Sequence, residues 1–267
     1  MFGDLRSTRP KVFVIGDSFT QAVQVSDDDT YYASLKDTVG VEVFAYGAGG
    51  YGTLQEYMIK PTLILWQFFD NDFINNDPAL ETASLFNNNG LKRPYWIDGH
   101  VVYLLPKAWS ASVRIFAQRH SRFLYFLLSR WDRLLAMHSE ETVEVEIERE
   151  GLAHKGFSQA VQVTSDLMGK VRSRVGRIPI VAFSCGGGEP YDSAFKVISA
   201  HYDVVFLQDI AEAVGAEHKR GEDVLDADLG HWNVRGHRLA GSLISEHLRA
   251  MIPGGSKTHA PLTVADP

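Results

Sequence analysis

A serine near one end of this chain and an aspartate and histidine near the other are the residue types that make a hydroxyl nucleophilic at neutral pH. They are Ser18 in Gly16-Asp17-Ser18, and Asp228 and His231 in Asp228-Leu229-Gly230-His231. In such a set the imidazole takes the hydroxyl proton and the carboxylate holds the imidazole in the useful tautomer. Ser18 Oγ would attack an acyl carbonyl, and His231 would later return the proton to the leaving alcohol. Asp228 is the expected orienting acid, with Asp226 as its rival. A developing oxyanion needs donors fixed in advance, and losing one typically costs about 3 kcal/mol of barrier. The backbone N–H groups of Ser18 and Gly50 and the side-chain amide of Asn71 can supply three. Glycine at position 50 leaves backbone free to approach a substrate.

These residues need elements to bring them together. Five apolar, β-branched runs read as strands: Val12–Ile15, Val41–Tyr46, Thr62–Phe68, Ile178–Phe183 and Val204–Leu207. Helical patterns at Thr30–Thr38, Gln159–Val175, Ser193–Ala200 and Val234–Met251 alternate with them. That alternation predicts a parallel sheet covered on both faces. Ser18, the Gly47–Gly52 loop, Asn71 and the Asp228/His231 pair all follow strands, so the sheet places them at one edge.

The stretch from about 78 to 150 breaks the rhythm and reads as an inserted cap. Tyr95–Ile97 and Val101–Tyr103 flank Asp98-Gly99, a hairpin signal of type I′. An amphipathic helix over about Ser121–Met137 follows. Glu140–Glu150 alternates Val143, Val145 and Ile147 with acids, a half-exposed strand or a solvated linker. Tyr95, Trp96, Tyr103, Trp109 and Phe116 could line a substrate groove, although a small satellite core is the better expectation. The reading is one domain over 1–253, with a disordered tail over 254–267.

Four blocks of this sequence resemble those of the SGNH hydrolases, the GDSL esterase/lipase family. They are Gly16-Asp17-Ser18-Phe19-Thr20, Gly47-Ala48-Gly49-Gly50-Tyr51-Gly52-Thr53, Phe69-Asp70-Asn71-Asp72 and Asp228-Leu229-Gly230-His231-Trp232-Asn233. They occur in order, each after an expected strand. The resemblance covers Lys11 to about Met251, except the insertion. It implies a flavodoxin-like three-layer αβα sandwich around the five-stranded parallel sheet, and ester hydrolysis without metal or cofactor. The chain departs from the family at Ala45, where an asparagine is common, and in a very short crossover from Gly52 to Pro61.

Composition narrows the alternatives. The 267 residues are 45% hydrophobic and 22% charged, with a net charge of −7, which argues against a nucleic-acid surface. With one cysteine, Cys185, no intramolecular disulfide is possible. The most apolar window, Phe123–Met137, holds Arg130, Asp132 and Arg133 and is too short and charged to span a membrane. The N-terminus lacks the apolar stretch of a signal peptide, so the chain as written reads as cytoplasmic, or as exported if a leader precedes it.

The rival reading uses Gly47-x-Gly49-x-x-Gly52, with Asp70 further on, as a dinucleotide fingerprint for an NAD-dependent oxidoreductase. It leaves Ser18 and the Asp228/His231 pair unexplained. No His-x-x-x-His or Cys-x-x-Cys pair suggests a metal site. Acyl transfer by the same triad stays open, because water exclusion decides it. The expected substrate is a small acyl ester, acetyl or short-chain, of a carbohydrate or lipid. Oligomeric state is not legible.

Expected roles for lesser residues are these. Asn233 caps the last helix, Asp17 stiffens the turn after the first strand, and His237 packs or lies on a helix surface. Cys185 is a small buried residue.

Overall fold

The computed structural model describes residues 3–4, 6–47, 62–84, 92–105, 116–117, 119–138, 142–186, 188–227 and 230–252. Within them, β1 (Lys11–Gly16), β2 (Glu42–Gly47), β3 (Leu63–Phe68), β6 (Ile180–Ser184) and β7 (Val204–Leu207) form a parallel sheet in the order β2-β1-β3-β6-β7. β4 (Arg93–Ile97) and β5 (His100–Leu104) form a separate antiparallel hairpin. Asp98 at φ 49° and Gly99 at φ 83° make its turn, as the Asp-Gly signal predicts.

Side-chain alternation splits the sheet into two apolar faces. Val12, Val14, Leu63, Leu65, Val181 and Phe183 join one core cluster; Phe13, Ile15, Ile64, Trp66, Phe68, Ile180 and Ala182 join the other. The first is covered by α2 (Leu35–Thr38), α9 (Asp209–Lys219) and α10 (Val234–Met251), through Leu35, Ile210, Val214, Ala240, Ile244 and Leu248. The second is covered by α3 (Asn71–Asn76), α7 (Lys155–Val175) and α8 (Tyr191–His201), through Phe73, Phe157, Met168, Phe195 and Ile198. The result is the three-layer α/β sandwich expected from the alternation of elements.

The insertion contributes to this body at both ends. Leu80 of α4 (Pro78–Ala83) and Val143 and Ile147 of α6 (Val143–Glu150) belong to the second cluster. The hairpin is tied down by a buried ion pair, Arg93 Nη1 to Glu81 Oε1 at 2.6 Å, with Tyr95 Oη donating to Glu81 Oε2 at 3.2 Å.

Two local expectations change. Residues 143–150 are helical, neither strand nor linker. Thr142 caps the helix by accepting from Val145 N, and Val143 and Ile147, four apart, are buried while Val145 is exposed. The alternating valines mimicked period two, but burial follows the helical period. The helix expected over Thr30–Thr38 shrinks to α2. Thr30 Oγ1 donates to Asp27 O and accepts from Ala33 N, local bonds that compete with a helix.

Candidate active site

The turn that carries Ser18 is held by contacts of its own. Asp17 follows β1 and caps the four-residue α1 (Ser18–Gln21), its Oδ1 accepting from Phe19 N at 3.1 Å. Gln67, polar and fully buried in β3, reaches across to this turn. Its Oε1 accepts from Asp17 N at 2.9 Å and from Thr20 Oγ1 at 3.1 Å. Thr20 Oγ1 also lies 2.8 Å from Tyr31 Oη. Ser18 therefore stands on a helix held from below by a strand side chain.

Two glycines are explained by this packing. A Cβ on Gly16 would sit 2.2 Å from Gln67 Oε1, and one on Gly47 would sit 2.2 Å from Gln21 N and 2.4 Å from the Thr20 carbonyl carbon. Gly47 is thus needed for α1 to lie against β2, with no dinucleotide invoked. The rest of that glycine loop, including Gly49, Gly50 and Gly52, lies outside the described residues.

His231 arrives from the far end of the chain. Its Nε2 lies 2.9 Å from Ser18 Oγ, across a separation of 213 residues. Its loop is pinned on itself: Asp226 N donates to His231 O, Asn233 N donates to Val224 O, and Leu225 bridges to Trp232. Asn233 also caps α10 as expected, accepting from Arg235 N and Gly236 N. Trp232 is buried against Phe19, at a ring-centroid distance of 5.1 Å, and Phe19 lies 5.0 Å from the His231 ring. Asp228 lies outside the described residues. Asp226 engages the His231 carbonyl through its backbone.

Asn71 opens α3 directly after β3. The turn ahead of it is closed by Asp72, which is buried and whose Oδ2 accepts from Phe69 N at 3.0 Å. The buried carboxyls here all titrate high. Burial pushes Asp17 up, opposed by the Phe19 N–H, Gln67 and the charge of His231. Burial, then the neighbouring charge of Asp17, pushes Asp72 well up. Asp70 is pushed up to about 7 by burial, then by the charges of Asp192 and Glu148. Gly186 and Gly188 leave room for it, since a Cβ on either would come within 3 Å of Asp70 Oδ2.

His237, expected to pack, is buried on α10. Its Nδ1 accepts from Tyr31 N at 3.3 Å, and its ring stacks on Tyr31 at an interplanar angle of 2°. Burial, then the His231 charge, lowers its pKa to about 4, so the ring is neutral. Cys185 is buried, and burial raises its thiol pKa well above the ordinary value.

Sequence reasoning missed Gln67, although a lone polar residue inside an apolar strand was a usable signal. It also missed why glycines follow Cys185. Of the aromatic residues proposed to line a groove or core, Tyr95 is buried, while Tyr103 and Phe116 are exposed. Trp96 lies under Lys170 Nζ at 4.2 Å, and Trp109 lies outside the described residues. Among the described residues no cluster of three or more metal-ligating side chains occurs, and no helix is long and apolar enough to cross a membrane.

No protein-family model matches the chain, and no curated protein matches it in sequence. Solved structures do resemble its fold. An acetyl xylan esterase from Butyrivibrio proteoclasticus is 11% identical, with a TM-score of 0.47, over 94% of this chain and 66% of that one. An acetylxylan esterase from Geobacillus stearothermophilus is 12% identical, with a TM-score of 0.47, over 94% of this chain and 98% of that one. An alpha/beta hydrolase enzyme from the metagenome of Lake Arreo is 12% identical, with a TM-score of 0.46, over 89% and 95%. At such identities the functional reading rests on the residues themselves.

Proposed function

We propose that the protein is a serine ester hydrolase that acts through an acyl-Ser18 intermediate. The observation that carries this reading is the 2.9 Å contact between His231 Nε2 and Ser18 Oγ. With Nδ1 protonated, Nε2 accepts the Ser18 hydroxyl proton as Oγ bonds to the ester carbonyl carbon. The carbonyl electron pair moves onto oxygen. It returns as the carbon–oxygen bond to the alcohol breaks, and His231 Nε2–H gives its proton to that alcohol. Water then repeats the sequence on the acyl-serine, releasing acid and restoring Ser18.

Asp228 is the proposed partner of His231 Nδ1. Ser18 N–H, Gly50 N–H and the Asn71 amide are the proposed oxyanion donors. The substrate class is a small acyl ester, acetyl or short-chain, of a carbohydrate or lipid.

The experiment is hydrolysis of p-nitrophenyl acetate by the wild type and by Ser18→Ala and His231→Ala, in the presence and absence of a chelator. Turnover in the wild type that survives chelation and is lost in both folded variants supports the reading. Turnover that persists in both variants would refute it.

A further inference from the structure

The insertion contains an amphipathic helix whose apolar side faces outward. α5 (Arg122–His138) is 17 residues, roughly 25 Å long at 1.5 Å per residue. At about 100° per residue, Phe123, Leu127 and Trp131 share one face, Arg122 lies opposite, and Arg130 lies along the border. Phe123 is 71% exposed, Trp131 is 62% and Leu127 is 46%. Leu124 and Leu128, at the far edge of the same face, are half-buried. Most of the apolar stripe is therefore left exposed.

The charge of this stretch opposes that of the chain. From Phe116 to His138 it carries Arg119, Arg122, Arg130 and Arg133 against Asp132 alone, in a protein of net charge −7. Arg119, Arg122 and Arg130 are exposed. The Arg130 guanidinium lies 5.3 Å over the Phe126 ring, at the boundary between the apolar and basic sides. Exposed Phe, Leu and Trp flanked by arginines, with Phe126 set between Arg122 and Arg130 around the helix, match the make-up of helices that lie in a lipid–water interface. An arginine at the border can extend its stem along the apolar surface and hold its head at phosphate level. A second copy of this acidic chain, or any acidic surface lacking an apolar interior, satisfies only half of that pattern.

We propose that α5 docks in the plane of a bilayer surface containing anionic phospholipid. Phe123, Leu127 and Trp131 enter below the headgroups, and the arginines meet the phosphates. The proposal does not depend on the role given to Ser18.

The test is flotation of the full chain with phosphatidylcholine vesicles, with and without phosphatidylglycerol, at low and high salt. Flotation with the anionic vesicles, weakened by salt, is expected. The double variant Phe123→Ser with Trp131→Ser should lower partition by about tenfold or more, while hydrolysis of soluble p-nitrophenyl acetate matches the wild type. Arg122→Glu with Arg130→Glu should weaken binding to the anionic vesicles selectively. No flotation with either vesicle, or equal flotation by the apolar double variant, would overturn the proposal. So would a wild-type dimer, abolished by that variant, that does not bind vesicles; the face would then join two copies. Absence of ester turnover in the wild type bears on Ser18 alone, since flotation reads α5 without it.

Discussion

Aromatic side chains serve opposite ends in two regions of this molecule. Beneath Ser18 they close upon one another: Phe19, Tyr31, Phe183 and Trp232 are buried, with the Phe19–Trp232 and Tyr31–Phe183 ring centroids 5.1 and 5.2 Å apart. In the insertion, Tyr103, Phe116, Phe123 and Trp131 face outward. The difference lies in what accompanies the rings. Under Ser18 a polar chain runs from Asp17 N through Gln67 and Thr20 to Tyr31, so the rings have fixed neighbours and fixed orientations. Along α5 the companions are arginines, and the large apolar side chains Phe123, Leu127 and Trp131 are exposed. Apolar periodicity tells where a face lies; the polar partners tell whether it is a core or a surface.

The largest effects are expected at Ser18 and His231. Ser18→Ala or His231→Ala should lower kcat on the order of 10⁴- to 10⁶-fold, read by steady-state p-nitrophenyl acetate kinetics. Either variant should unfold at the wild-type temperature. Asn71→Ala should reduce kcat by about 10²- to 10³-fold with little change in KM, as expected of a donor engaged mainly in the transition state. An unchanged kcat would remove Asn71 from the oxyanion site.

The support of each region can be weakened separately. Arg93→Met leaves Glu81 buried without its cation and should cost about 3 kcal/mol in urea unfolding. Turnover per folded molecule should hold, because the pair anchors the hairpin rather than Ser18. A large fall in kcat would show the insertion reaching the site.

His237 gives the core beneath Ser18 a signature in pH. Its pKa of about 4 in the folded protein lies below the 6.5 of an unperturbed histidine. As pH falls, the unfolded chain takes the proton first, so stability is full above pH 6.5 and declines towards pH 4. The loss is about 3 kcal/mol relative to His237→Asn, whose amide oxygen can replace Nδ1 as acceptor for Tyr31 N. The raised carboxyls Asp17, Asp70 and Asp72 act in the opposite direction and cancel in that difference. Parallel pH profiles for the two proteins would contradict a buried neutral imidazole. The smallest effect should come from Phe123→Ser, which on the soluble ester should leave kcat within about twofold while reducing vesicle binding.

The sheet was legible because its strands are short and apolar, with helices of the right period ahead of β6 and β7. Ser18 lies just past β1, as expected, whereas His231 comes only after β7 and α9, so its 2.9 Å approach to Ser18 Oγ depends on the loop ahead of α10 rather than on a strand end. Gln67 was missed because an apolar strand pattern treats an interior polar residue as noise, when it is the acceptor that holds Asp17 N and Thr20. Residues 143–150 misled because Val143, Val145 and Ile147 satisfy a strand pattern by spacing, and only the Thr142 cap and the burial of the outer two favour a helix. Short apolar segments leave the two periods hard to separate without caps.

Whether Ser18 carries the acyl group is read by peptide mass spectrometry after reaction with a fluorophosphonate. A single adduct on the peptide bearing Ser18, slowed strongly in His231→Ala and absent in Ser18→Ala, is expected. An adduct on another residue, or an unreactive Ser18 in folded protein that still hydrolyses esters, would contradict acylation at Ser18.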